Sequence, residues 1–107
     1  AMLMNHTALG MHYVYGIPLP DGLPPVIELL NGTHEQKYGY KPLFLERIPG
    51  EEFAYSGGGF IVLQYILEEM AQQPIEEMIR PFLTSLHMQD FTFQQSNRDV
   101  ITKYATG

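Results

Sequence analysis

Pro49-Gly50-Glu51-Glu52-Phe53-Ala54-Tyr55-Ser56-Gly57-Gly58-Gly59-Phe60 decides the reading of this chain, because it runs directly into the apolar periodic segment 61–70. A Pro-Gly turn, a short aromatic-rich piece and a triple glycine lead into an amphipathic helix. The order puts one hydroxyl residue, Tyr55 or Ser56, at a sharp corner just before a helix N-terminus. Glycines let another backbone or a substrate approach closely, and a free helix N-terminus stabilises negative charge. The corner is therefore the first candidate for a functional site.

Downstream, Phe60, Leu63, Ile66, Leu67 and Met70 recur at three- and four-residue steps and share one face of a helix expected over 58–71. Glu68 and Glu69 fall at its C-terminal end, where the helix dipole does not favour them. Gln72-Gln73-Pro74 ends it. A second helix is expected over 74–86, with Pro74 at the first position, Glu76 and Glu77 at the positive end, and Ile75, Met78, Ile79, Phe82, Leu83 and Leu86 as the apolar face. Pro81 lies inside that pattern and predicts a kink or a break into two short helices. The tail 89–107 alternates weakly and then turns polar.

Upstream, residues 3–25 are rich in Gly, Pro and aromatics without a period and read as an irregular, partly buried loop. Asp21, Pro24-Pro25, a short apolar run to Leu30 and Asn31-Gly32 predict a short helix with a stop. Residues 33–46 read as loop, with a short strand a candidate at Leu43-Phe44-Leu45.

The length of 107 residues suits one small domain or part of a larger one. A hydrophobic fraction of 45% with 17% charged residues is globular, so wholesale disorder is not expected. The formal net charge of −6, with six Lys and Arg, argues against nucleic acid or an anionic membrane as partner, since both need a basic surface. Nothing is long and apolar enough to span a bilayer. The absence of cysteine excludes disulfides and thiolate chemistry. Ala1-Met2-Leu3-Met4-Asn5 lacks a secretory leader, so a cytoplasmic location is the default expectation, with Ala1 read as a tag remnant and Met2 as the native start.

Three segments together resemble a known superfamily. Leu3-Met4-Asn5-His6-Thr7-Ala8 is similar to the "L-L-x-H-T-[AS]-G-L" segment of the serine β-lactamase and penicillin-binding-protein-like hydrolases. These include class C β-lactamases, D-alanyl-D-alanine peptidases and related esterases. The stretch from Pro49 to Phe60 resembles their "P-G-x-x-F-x-Y-S-N-x-G-Y" corner, and Leu86-His87-Met88 through Phe91-Thr92-Phe93 resembles "P-L-G-M-x-x-[ST]-x-F". The resemblance covers nearly the whole chain in the right order. It implies a mainly α piece over 1–107: the helical subdomain, as a single partial domain, of the β-lactamase/transpeptidase-like fold, with long irregular loops.

In that family a Ser-x-x-Lys motif supplies the acylated nucleophile and its lysine. A Tyr-x-Asn corner supplies a proton-transfer tyrosine and a substrate-contacting asparagine, and a later Lys-Thr-Gly or His-x-Gly strand borders the oxyanion site. The tyrosine carries over to Tyr55. The asparagine position is Gly57, which removes the side-chain amide; a Tyr-Ser-Gly-Gly-Gly corner is similar to that of esterase-like members. Ser56, Ser85 and Ser96 have no Lys three residues on, and Lys103-Tyr104-Ala105-Thr106-Gly107 is not a Lys-Thr-Gly. The resemblance therefore implies an internal fragment, inactive alone. The alternatives are a non-catalytic helical binding or assembly module, and one part of a split hydrolase completed in trans. No cofactor is implied. The expected partner is a second copy in a dimer or a missing flanking hydrolase segment.

Plainer roles stand beside these. Taken without the resemblance, Tyr55 reads as a half-buried aromatic with a satisfied hydroxyl. Ser56 lacks a G-x-S-x-G context and reads as a cap or turn residue. His6, His12, His34 and His87 form no ligand pair, so no metal site is expected. His6 is expected to fix a loop by hydrogen bonds. His87 stands at a family glycine position that often needs a positive φ, so it is expected to carry mild strain or mark a changed turn. The pairs Glu51-Glu52, Glu68-Glu69 and Glu76-Glu77 read as solvated surface, because adjacent helical residues do not face each other. The methionines read as core filler.

Overall fold

The computed structural model describes residues 1–11 and 16–94. The chain divides into two compact units, Ala1–Leu67 and Glu68–Gly107. It is mainly α, with no strand among the described residues. His12 and Ser96 lie outside them.

In the first unit, residues 1–11 form tight turns. The Thr7 amide is bracketed by Asn5, whose side-chain oxygen accepts from both the Thr7 amide (3.2 Å) and its hydroxyl (2.6 Å). A 3₁₀ turn at Leu19–Asp21 precedes helix α1, Val26–Leu30, which buries Leu29 and Leu30. The stop at Asn31-Gly32 forms as the sequence predicts. Gly32 stands at φ +80°, and a Cβ there would lie 2.7 Å from Pro42 Cδ and 2.9 Å from its backbone nitrogen. Only glycine fits that site.

Residues 33–46 depart from expectation twice. A four-residue helix α2, Glu35–Tyr38, closes on Gly39 in the left-handed conformation. Four residues are too few to show a hydrophobic period, so only Gly39 signals it. The expected strand at Leu43-Phe44-Leu45 does not form; the Leu43 amide donates once, to the Leu30 carbonyl at 2.6 Å. Asp21 joins the 3₁₀ turn to α2: it accepts from the Tyr38 hydroxyl at 2.5 Å and pairs with Lys37 at 3.0 Å. The Tyr38 hydrogen bond, then Lys37, holds the Asp21 carboxyl below its ordinary range. Buried Ala8, Leu9, Met11, Leu29, Leu30 and Tyr40 form the small core of this unit.

Helix α3 runs over Gly57–Ala71, one residue earlier than the glycine pattern predicts. Its apolar stripe is largely uncovered: Phe60, Ile66, Leu67 and Met70 are exposed, and the buried residues of the helix are Gly58 and Gly59. The methionines are not uniformly core filler either. Met11 is buried, whereas Met2, Met4, Met70 and Met88 are exposed.

In the second unit, helix α4 covers Ile75–Ser85 as one element. Pro81 does not break it in two. The reading of the glutamates as solvated fails at two positions. Glu68 accepts the Ile75 amide at 3.0 Å, capping an orphan donor at the start of α4. Glu76 is only 8% exposed. Its carboxylate accepts from the Thr92 hydroxyl (3.0 Å) and the Phe93 amide (2.7 Å), and Arg80 pairs with it one turn along. The chain leaving α4 is thus clasped back onto the helix by a carboxylate whose position in the first turn gives no sequence hint of burial.

The end of α4 follows from hydrogen bonding. The His87 amide donates to the Thr84 carbonyl and the Met88 amide to the Leu83 carbonyl, a Schellman closure. His87 occupies its left-handed position at φ +59°, as the family glycine at this point predicts.

Candidate functional site

Residues 2–11 and 50–59 are stitched together by backbone and side-chain bonds. The Gly50 amide donates to the Thr7 carbonyl (2.7 Å), the Ala54 amide to the His6 carbonyl (2.9 Å) and the Gly58 amide to the Met11 carbonyl (3.3 Å). The Ser56 amide donates to His6 Nδ1 at 3.1 Å. That bond needs a lone pair on Nδ1, so the neutral ring carries its proton on Nε2. His6 does fix a loop by hydrogen bonding, as its place in the His-Thr segment predicts.

Ser56 is the most enclosed side chain of the corner, at 1% exposure. Its hydroxyl donates to the Met11 carbonyl at 2.5 Å and accepts from the Gly59 amide at 3.0 Å. The second bond is an N-cap on α3, satisfying a donor that the helix cannot satisfy itself. The first aims the hydroxyl proton at a backbone carbonyl oxygen, which accepts the hydrogen bond but is no general base. A serine nucleophile needs an adjacent base and access to substrate, and Ser56 has neither. It is the structural member of the Tyr55-Ser56 pair.

Tyr55 is turned the other way, with 59% of its surface exposed, immediately before the cap of α3. Its ring lies against the His6 ring at a centroid separation of 4.6 Å and a tilt of 38°. Phe53 meets the same imidazole edge-on at 5.9 Å, and Phe60 meets it tilted by 45° at 5.4 Å. Three aromatics thus surround one histidine, two of them from the short segment ahead of the helix and one from its first turn. Gly57, which the sequence resemblance sets against the family asparagine, is the first residue of α3 and presents no side chain.

The general affinity of a helix N-terminus for negative charge is largely answered from within the protein here. The Gly58 and Gly59 amides are both spent on protein oxygens. Close approach through the triple glycine is also less demanding than expected. A Cβ at Gly59 would sit 3.4 Å from Ser56 Oγ and 3.6 Å from the Leu3 carbonyl oxygen, ordinary contact distances. No group of metal-ligating side chains occurs among the described residues.

The sequence motifs locate Tyr55, Ser56 and His6 but do not reveal the Met11 carbonyl as hydrogen-bond partner, because a backbone acceptor leaves no trace in residue type. The Beta-lactamase family model matches residues 1–107. No curated protein and no solved structure matches the chain.

Proposed function

The chain belongs to the Beta-lactamase family, a serine-hydrolase-like family, and on that premise we propose that these residues supply the tyrosine side of an acyl-transfer site. In this reading Tyr55 relays a proton: its oxygen accepts from the serine hydroxyl as the serine oxygen bonds to the substrate carbonyl carbon, its own proton passes to the lysine of the Ser-x-x-Lys segment, and the same path run backwards protonates the leaving group as its bond to that carbon breaks. The serine belongs to polypeptide beyond these 107 residues, in the same chain or another, and the present residues alone are inactive. The observation that carries the reading is the division of labour at the corner. Tyr55 stands exposed at the mouth of α3, while the neighbouring Ser56 is buried and fully engaged.

The test is hydrolysis of a chromogenic cephalosporin and a nitrophenyl ester. The chain is assayed alone and mixed with a polypeptide of the same family that carries the Ser-x-x-Lys segment. No turnover is expected alone. Turnover is expected on mixing, lowered about 10²–10⁴-fold by Tyr55→Phe, the usual worth of a positioned proton-transfer group. Turnover by the chain alone that vanishes in Tyr55→Phe overturns the inactivity; turnover on mixing that ignores Tyr55→Phe overturns its role.

A second reading, self-association, is favoured by the uncovered stripe of α3, where Phe60 is 47% exposed and Ile66 and Leu67 are exposed beside it. Apolar patches beyond a few hundred Å² are rarely left bare on a soluble monomer, and a two-fold dimer is the simplest cover. Light scattering after size exclusion decides it: a dimer is expected, and a monomer without concentration dependence contradicts it.

A further inference from the structure

We propose that His6 is a positioning residue for Tyr55; the proposal deepens the reading of Tyr55 as the proton-transfer group and rests on it for its functional meaning. His6 holds the backbone on both sides of Tyr55. Its carbonyl accepts the Ala54 amide at 2.9 Å, and its Nδ1 accepts the Ser56 amide at 3.1 Å. Its ring then forms the surface against which the Tyr55 ring rests, at 4.6 Å between centroids. His6 thus bonds the backbone on both sides of Tyr55 and lies against its ring.

The imidazole is itself held. Phe53 and Phe60 flank it at 5.9 Å and 5.4 Å. The Asn5 side chain ties the turn that carries it to Thr7. His6 sits at φ +60°, a conformation costly for a residue with a Cβ. Glycine would relieve that cost but supply neither the acceptor nor the ring. Strain retained where the side chain makes several specific contacts is what a site built to hold a neighbour shows. A tyrosine serves proton transfer in one side-chain orientation, and each other one removes its oxygen from reach of a proton donor.

The experiment is NMR on the full chain, with Tyr55 signals assigned by their loss in Tyr55→Phe. In the unaltered protein, His6 is expected to show an unprotonated Nδ1 and a protonated Nε2, and its ring protons to give cross-relaxation to the Tyr55 ring. In His6→Asn, the side-chain carbonyl replaces the Nδ1 acceptor and asparagine tolerates the positive φ. The fold is then expected to persist while the Tyr55 ring signals lose the ring-current displacement that the imidazole gives them. Tyr55 signals unchanged in a folded His6→Asn overturn the proposal. So does the absence of His6 to Tyr55 cross-relaxation in the unaltered protein, a result that needs no variant. These spectra read position alone. A failure of the hydrolysis test with intact His6 dependence in the spectra would remove the proton-transfer reading and leave the positioning standing.

Discussion

His6 and His87 share a backbone conformation, at φ +60° and +59°, and differ in why they hold it. His6 lies in the corner, where its carbonyl, its Nδ1 and its ring face all meet neighbours. His87 lies at the exit from α4, where its amide completes a Schellman closure while its side chain is exposed. One position uses histidine for its chemistry; the other uses a turn that glycine would make more cheaply. A residue in an unfavourable conformation therefore points to a site only when its side chain is engaged.

The same contrast extends to the regions around them. The corner spends its buried polar atoms on presenting one exposed tyrosine. The α4 region spends the Glu76 carboxylate on retaining the chain at Thr92 and Phe93. The largest effect is expected there: Glu76→Ala leaves the Phe93 amide, Thr92 and Arg80 without their acceptor and costs about 3 kcal/mol in a urea titration. Arg80 is partly exposed, which keeps the loss at the lower end for a broken ion pair. A change below about 0.5 kcal/mol would show that the clasp is a surface contact.

Ser56→Ala is expected to cost about 2 kcal/mol, from the lost N-cap and a lost buried hydrogen bond. A neutral result would contradict the assignment of Ser56 as the structural member of its pair. The two histidines give the sharpest comparison through one substitution made twice. His87→Gly removes left-handed strain at some cost in unfolded-chain entropy and should raise stability by about 0.5–1 kcal/mol. His6→Gly relieves the same strain but loses the Ser56 amide acceptor and three ring contacts, and should lower stability by about 1 kcal/mol. Equal signs for the two in thermal melts would erase the distinction.

The smallest effect is expected at Asp21, on the surface. Its folded carboxyl titrates below its ordinary value because Tyr38 and Lys37 favour the charged form. Its contribution is therefore present above the unfolded pKa and lost as pH falls through the folded one. Asp21→Asn should lower stability slightly at neutral pH, converge with the unaltered protein at low pH and so flatten the acid limb of a stability profile. A steeper acid limb in the variant would contradict a lowered Asp21 pKa in the folded protein.

What the sequence made legible follows from how each feature is encoded. The α3 and α4 segments show through repeated apolar spacing, and the Asn31-Gly32 stop and the positive φ at His87 through residue types with one strong local preference. Helix α2 was hidden by its length. The strand expected at Leu43-Phe44-Leu45 failed because β propensity means little without a neighbouring strand to pair with. Glu76 was misread because an acidic residue in a first helical turn satisfies the dipole whether or not anything folds over it. At the corner, motif order located Tyr55 and Ser56, but their opposite fates depend on the Met11 carbonyl and the His6 ring, some 45 and 50 residues away in sequence from Ser56.

The separation of Tyr55 from Ser56 is tested most directly by acylation. The folded chain is incubated with a fluorophosphonate and with a β-lactam, and its peptides are mapped by mass spectrometry. The buried, doubly bonded Ser56 predicts no adduct at that residue with either reagent. An adduct on Ser56 in the folded protein would make it a nucleophile and contradict the assignment of the corner.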